Sequence, residues 1–334
     1  YNEEGGALSR LNYVRKLYRL ARKTLQEKEI SLVHCRSYLA ALIGLHIKKR
    51  HKLPFIFDMR GFWADERIDG GIWQLNNSVH KWFYNYFKRK EKDFLLGADA
   101  IVSLTHAALK ELNRQMPGEE ITKKTSIIPC CTNTALFDPE ITEKRKIEGL
   151  SENDHLVVYT GSVGTWYYTR EMIDCVLCWK EIIPEIKLII VTKDREELEK
   201  ILVGYSSEQL KTIISASASY KEIPSYLVAA KASIFFIKPA YSKIASSPTK
   251  MAECWSMNLP IITNSGIGDN DLYFKEHQGG VLINDFTKEE YLRACRNYLD
   301  LKGKTNCRSL AKAYFDTNTA IKIYSGIYNS LCRE

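Results

Sequence analysis

Twice along this chain, short apolar runs rich in β-branched residues alternate with longer stretches of helical periodicity, a pattern that few folds accept. Strands that alternate with helices argue for parallel βαβ units. In the first half the pattern predicts helix over Leu11–Lys28, strand over Ser31–Cys35, helix over Tyr38–Lys49 and strand over Pro54–Asp58. A polar, aromatic loop at residues 60–74 follows. Next come helix Ser78–Leu96, strand Ala100–Leu104, helix Ala107–Met116 and strand Ser126–Ile128. A charged stretch, Asp138–Asp154, breaks the alternation, which then restarts with strands at Leu156–Thr160, Lys187–Thr192, Ile213–Ala216, Ile234–Ile237 and Val281–Ile283. Helices separate these strands, and the tail after Thr287 reads as all helix. At 334 residues there is room for two cores. The expected organisation is α/β, with two Rossmann-like, doubly wound domains with parallel sheets at 1–140 and 155–315. A linker at 141–154 joins them, and a C-terminal helix at 316–334 returns to the first domain.

The composition excludes some classes. With 45% hydrophobic and 26% charged residues the chain reads as globular, without low-complexity tracts or short repeats. No apolar run approaches the roughly 18–20 residues that span a bilayer. A formal net charge of +8 points to an anionic partner: nucleotide phosphates, an anionic membrane surface or nucleic acid all fit. A nucleic-acid recognition motif or aromatic platform is missing, which counts against the last. Nine cysteines, mostly inside apolar segments and without a signal peptide, read as reduced thiols in a cytoplasmic protein. Cys175 and Cys178 form a C-x-x-C without a second pair nearby, so packing is favoured over metal or redox use. The seven histidines show no metal-ligand spacing, and no Gly-x-Ser-x-Gly elbow occurs. No metal site is expected.

In doubly wound domains, ligands bind beyond the carboxyl ends of the strands, where strand order reverses. Three second-half segments stand at such ends: Gly161–Trp166, Thr192–Asp194 and Lys238–Pro248. The last leads into a helix start, with Ser247 expected at the N-cap and Pro248 at the first helical position. First-turn amides have no internal partner and lie at the positive end of the helix dipole. Lys250 and the hydroxyls of Ser246, Ser247 and Thr249 add charge and donors there. One turn on, Glu253 sits among apolar residues, where an acid is usually paired or functional. Gly161 and Gly164 allow close approach of backbone to ligand, though a plain strand-to-helix turn explains them equally well and no G-x-G-x-x-G is present. Gly266, Gly268 and Asp269 fit turn chemistry somewhat better than ligand contact. In the first half, Asp58, Arg60, Asp65, Glu66 and Arg67 crowd one loop beside Phe62 and Trp63, and the alternative to a functional role is an interdomain salt-bridge cluster.

Four stretches, in order, resemble glycosyltransferase family 4, retaining enzymes of GT-B architecture with two Rossmann-like domains around a deep cleft. VHCRSYLAALIGLHIKKRHKLPFIFDMRGFWADE is similar to the family's N-domain strand–helix–strand unit. ADAIVSLTHAALKEL through IIPCCTNTALF resembles its ADxVxxxS…IPNGVDxxxF segment, and VVYTGSVGTW the first strand and glycine loop of its nucleotide-binding domain. Residues 234–269 resemble its E-x7-E region and the P-V-I-x-x-x-x-G that follows. The likeness spans roughly Ser31 to Val281. The chain starts later than family members do, by an N-terminal portion on the order of 70 residues. Either a shortened chain or an unusual first domain is implied.

The resemblance implies roles. Glu253 would hydrogen-bond the donor ribose. The helix start from Ser246 through Ser247, Thr249 and Lys250 would hold the diphosphate, with Gly161, Ser162, Gly164 and Thr165 opposite. Lys193, Ser219 and Tyr220 would lie at the base, and Arg60 near the reacting sugar, where other members carry histidine. Arg60, Lys250 and Glu253 form the implied catalytic set. Two departures stand out. The first acid of the pair falls on Ala245, and the arginine and lysine that commonly follow the first C-domain strand are replaced near Ser162 and Tyr167. Lys238, Lys243, Lys250 or Arg170 would supply the missing charge. The implied activity is metal-independent, retaining transfer from a nucleotide-diphosphate sugar to a glycan or lipid-linked acceptor. The donor is a co-substrate, and no cofactor is expected. The implied location is the cytoplasm, at the inner face of the membrane, with peripheral membrane contact through Leu11–Lys28 or Trp82–Phe87 and no nucleic acid. The alternative is a nucleotide-sugar-binding protein without transferase activity.

Overall fold

The computed structural model describes residues 7–301 and 304–332, with side chains described at Asn12 and from Arg15 onward. The expected ends of the chain at 1–6 and 333–334, and residues 302–303, lie outside the described residues. The chain forms two compact units, one of Tyr1–Ile128 with Lys322–Glu334 and one of Pro129–Ile321.

The first unit holds a four-stranded parallel sheet in the order β1 (Val33–Arg36), β2 (Phe55–Asp58), β3 (Ala100–Ser103), β4 (Thr125–Ile127). Its helices are α1 (Ala7–Glu27), α2 (Ser37–His51), α3 (Trp63–Asp69), α4 (Ser78–Gly97) and α5 (His106–Gln115). β2 and β3 are buried at every position, as expected for strands covered on both faces. The caps follow the sequence. Asn77 accepts from the amides of Val79 and His80 at the start of α4, and Thr105 accepts from Ala108 at the start of α5. The order runs in one direction, so among the described residues this sheet has no reversal point.

One helix, α3, lies inside the segment expected to be loop. It explains the crowded charges locally. Asp65 and Glu91, both buried, flank Lys88, whose ammonium reaches Asp65 at 2.9 Å and Glu91 at 2.6 Å. Tyr84 donates to Asp65 at 2.8 Å, and the fully buried Tyr38 donates to Glu91. For Asp65 this is a polar clamp between α3 and α4 within one unit, and neither a ligand-facing role nor the alternative interdomain cluster is needed to explain it. Burial pushes the Glu91 carboxyl up, while Lys88 pulls it back.

The second unit holds six parallel strands: β5 (His155–Thr160), β6 (Ile186–Val191), β7 (Ile213–Ala216), β8 (Ala232–Phe235), β9 (Ile261–Asn264) and β10 (Gly280–Ile283). Their spatial order is β10-β9-β8-β5-β6-β7. Counted within the unit this is the 3-2-1-4-5-6 order of the Rossmann fold, reversing between β5 and β8. Around it lie α6 (Thr169–Trp179), α7 (Arg195–Leu202), α8 (Ser207–Leu210), α9 (Ile223–Leu227), α10 (Thr249–Ser256), α11 (Asn270–Glu276), α12 (Lys288–Asp300) and α13 (Cys307–Leu310). The last helix, α14 (Thr317–Leu331), continues from this unit into the segment grouped with the first. Trp179 and Trp255 are fully buried, and their indole N–H groups donate to Tyr291 O and Gly279 O, each at 2.8 Å. Cys175 and Cys178 lie on α6, where burial pushes both thiols up.

The unit boundary precedes the expected linker. Arg308 accounts for this, donating to Phe137 O at 2.8 Å, to Ser256 O at 2.6 Å and to Asp138 at 2.5 Å. Residues just after Pro129 are thus tied to the second core.

Replacing Lys88 by Met leaves two buried carboxylates facing each other without a cation. We expect a loss of about 3–5 kcal/mol in the first unit, with Lys88→Arg retaining most of it. Urea unfolding of the three proteins checks this, and an unchanged midpoint for Lys88→Met would refute the clamp.

Candidate functional site

The reversal between β5 and β8 places the carboxyl ends of the strands around a cavity of about 420 Å³ in the second unit. Its walls come from the end of β5 (Thr160, Gly161, Ser162), the end of β6 (Val191–Asp194), Ala218, Tyr220 and Ile223 after β7, and α10 through Thr249, Lys250 and Glu253. Segments far apart in sequence meet here because parallel strands all end on one side.

The glycine loop is held in shape by its neighbours. Gly161 has φ +133°, a conformation that side chains rarely adopt, and its amide donates to Val191 O at 3.0 Å. A Cβ at this position would stand 2.5 Å from Lys250 Nζ, so the lysine lies directly over the bare α-carbon. The Val163 amide donates to Asp194 Oδ2 at 2.9 Å, and the Tyr159 hydroxyl donates to Ser162 O. The far end of the loop is stitched across the reversal point to the end of β8. Tyr168 N donates to Phe236 O at 3.0 Å, Lys238 N to Trp166 O at 2.9 Å, and Tyr167 bridges Ile237. Buried Asn264 braces that end, accepting from Ile237 N at 2.8 Å and donating to Ile237 O at 3.0 Å.

At the start of α10 the N-cap position is Pro248, one residue later than expected. Ser247 does not cap the helix, because its Oγ accepts from the Cys130 amide at 3.0 Å. Among the described residues the amides of Thr249 and Lys250 have no protein acceptor, and both residues face the cavity. Lys250 Nζ lies 4.1 Å from the Tyr167 ring centroid and 5.5 Å from that of Tyr159, with no carboxylate at ion-pair distance among the described residues. Glu253 is buried, and desolvation pushes its carboxyl from an ordinary 4.5 to about 7, with the Lys250 charge and the Tyr220 hydroxyl pulling the other way. A cation, free helix-start amides and a bare α-carbon together can receive an anion, with an acid one turn away to take hydroxyl donors.

Gly161, Ser162, Lys193, Tyr220, Thr249, Lys250 and Glu253 line the cavity. The others named from sequence do not. Gly164, at φ +80°, turns its α-carbon toward Glu197, and Thr165, at φ +46°, lies beyond it in the loop. Ser219 is occupied in a capping box with Glu222, its hydroxyl donating at 2.8 Å. Ser246 ends the short turn at Tyr241–Ala245, and Ala245 is fully buried. Arg60 belongs to the first unit, at the end of β2 with φ +58°. Gly266 and Gly268 serve a turn, their amides donating to Asp271 and to Lys243 O, each at 2.8 Å. Asp194, in a strand-end segment named from sequence, also lines the cavity, and Tyr159 and Tyr167 are added as the rings against Lys250. A charged residue just past a strand signalled Asp194, but nothing local distinguished either tyrosine from core.

The topology of the two parallel sheets is that of the GT-B fold. Residues 4–136 match the family model Glycosyltransferase Family 4, as the sequence resemblance implied. The chain is also 23% identical over 181 residues to EpsD of Bacillus subtilis (strain 168), a protein named provisionally as a glycosyltransferase. That match covers 52% of the chain and 44% of the relative, so it spans less than half of that protein's length. Among solved structures, sucrose-phosphate synthase from Thermosynechococcus elongatus aligns with TM-score 0.69 at 16% identity, over 95% of this chain and 78% of that one. HepE of Anabaena, solved in complex with UDP, aligns with TM-score 0.68 at 16% identity, over 98% and 84%. At these identities the likeness establishes the fold. Among the described residues no helix is long and apolar enough to cross a membrane.

Glu253 gives a pH signature. Its folded value lies above its unfolded one, so its contribution to stability is full below about 4.5 and is lost as pH rises through about 7. We expect the wild type to lose on the order of 3 kcal/mol across that window relative to Glu253→Gln. Parallel stability–pH curves for the two proteins would contradict the buried placement of this acid.

Proposed function

We propose that this protein is a glycosyltransferase that moves a sugar from a nucleotide-diphosphate donor to a hydroxyl of a glycan or lipid-linked acceptor. The observation that carries the reading is Lys250 laid over Gly161 at the strand-order reversal, with Glu253 one turn further along α10. The family match and the UDP complex of HepE support it, and they make UDP the first donor nucleotide to test.

In this reading the diphosphate lies between the glycine loop and the start of α10. Lys250 and the amides of Thr249 and Lys250 neutralise charge as the bond from the anomeric carbon to the phosphate oxygen breaks. This assigns leaving-group stabilisation to protein groups, with no metal ion or cofactor in the step. Glu253 takes the ribose hydroxyls, and Lys193 and Tyr220 border the base. The acceptor hydroxyl forms the new bond to the anomeric carbon on the face the diphosphate leaves, retaining configuration, and its proton passes late to the departing phosphate. Arg60 is assigned to the acceptor side. A lipid-linked acceptor would bring the enzyme to the cytoplasmic face of a membrane.

A binding-only reading has one observation in its favour: buried Ala245 stands where the sugar-reading acid is expected. Turnover separates the two. We expect donor-dependent transfer with an anomerically retained product by NMR. We also expect UDP affinity by calorimetry to fall roughly 10–100-fold in Lys250→Ala, the value of one charge-assisted hydrogen bond. Nucleotide binding without turnover over a panel of acceptors would select the binding-only reading. No binding of any nucleoside diphosphate would end both.

A further inference from the structure

Two lysines line the cavity among the described residues, Lys193 past β6 and Lys250 at the helix start, where the helix dipole disfavours a cation. Lys250 is nevertheless held at a defined place, half-buried, without a carboxylate partner among the described residues. What it touches is aromatic. Its ammonium lies 4.1 Å from the centroid of Tyr167 and 5.5 Å from that of Tyr159, and the two rings are themselves 5.9 Å apart. The third side is the bare α-carbon of Gly161.

We propose that Tyr167, seconded by Tyr159, is a positioning residue that holds Lys250 over Gly161, so that this single ammonium serves as the diphosphate-binding cation of the loop. The inference rests on the donor-site reading above and adds to it how the cation is kept in place. An ammonium over a ring face stays charged and keeps its outward N–H donors, whereas a carboxylate partner would cancel the charge an anion needs. A lysine at a helix start would otherwise swing into solvent, losing several rotamers' worth of freedom only when ligand arrives.

The rings are fixed before any ligand is present. Tyr167 is bridged to Ile237, flanked by the backbone bonds from Tyr168 to Phe236 and from Lys238 to Trp166. Tyr159 ends a buried strand, and its hydroxyl is engaged by Ser162 O. Ring faces from the end of β5 and from the loop after it therefore meet an ammonium on a helix at the reversal point. Ser162 and Tyr167 occupy the region where positive side chains were expected, and here that region presents an acceptor face to a cation delivered from α10. Of Lys238, Lys243, Lys250 and Arg170, Lys250 lines this cavity.

The test uses the full chain, with UDP and uridine as calorimetric probes, in Tyr167→Leu, Tyr167→Phe, Lys250→Met and the Tyr167→Leu/Lys250→Met double variant. We expect Tyr167→Leu to weaken UDP about tenfold and leave uridine unchanged, and Tyr167→Phe, which keeps the ring face, to stay within about twofold. The double variant should be no weaker than Lys250→Met, because both changes remove one interaction. Equal losses for UDP and uridine, or additive effects of the two substitutions, would overturn the proposal. A second measurement needs no ligand. After reductive ¹³C-methylation, the Lys250 methyl resonance, assigned by its absence in Lys250→Arg, should lie upfield from ring currents and return toward the bulk lysine position in Tyr167→Leu. Failure of wild type to bind UDP or any other nucleoside diphosphate sinks the donor-site reading and the cradle with it. An unshifted Lys250 resonance alongside normal UDP binding sinks the cradle alone.

Discussion

Parallel strands deliver every loop of the second sheet to one side, and a sheet wound in a single direction would leave those loops packed edge to edge. The reversal between β5 and β8 is the constraint that prevents this. Connections diverge there, a cavity opens, and the loop after β5 and the helix after β8 become its opposing walls. The antiparallel bridge from Tyr167 to Ile237 then closes one end, so the loop is a braced structure and Gly161 can hold its unusual backbone angle. Lys250 and Glu253 have a common purpose only because this crevice exists.

Within the crevice the charges are arranged against local preference. A lysine near the start of α10 opposes the dipole, and an acid inside a buried face resists ionisation. The two lie three residues apart on one face of the helix, where the Lys250 charge opposes the upward push of burial on the Glu253 carboxyl. Tyrosine faces rather than carboxylates surround the lysine, which leaves its charge available. Tension of this kind is uncommon where stability alone is served. The buried clamp of Asp65, Glu91 and Lys88 in the first unit shows the contrast: there the cation has two carboxylates, and the network is satisfied.

Much of this was legible in the residues. The strand–helix alternation located every strand but β9 to within a few positions, because buried parallel strands are continuous apolar runs between polar turns. Lys250 and Glu253 stood out as charges in the wrong chemical surroundings. The failures also have reasons. Ser247 looked like a cap because serine before proline usually is one, but the chain near Cys130 claims its hydroxyl. Ser219 looked available and is spent on Glu222, while α3 was hidden by glycine and charge in a segment that reads as loop. The unit boundary moved because Arg308, remote in sequence, pins Asp138 to the second core.

The sequence by itself determined the class of fold, the two-part organisation and the acid and base on α10, since periodicity and chemical incongruity are local properties of a chain. The tertiary structure decided which of the named groups share a cavity, and it decided that the rings of Tyr159 and Tyr167 lie against Lys250. Those assignments depend on strand order and on contacts between segments tens of residues apart. A tyrosine in an apolar run has the same local signature whether its ring fills a core or faces a lysine.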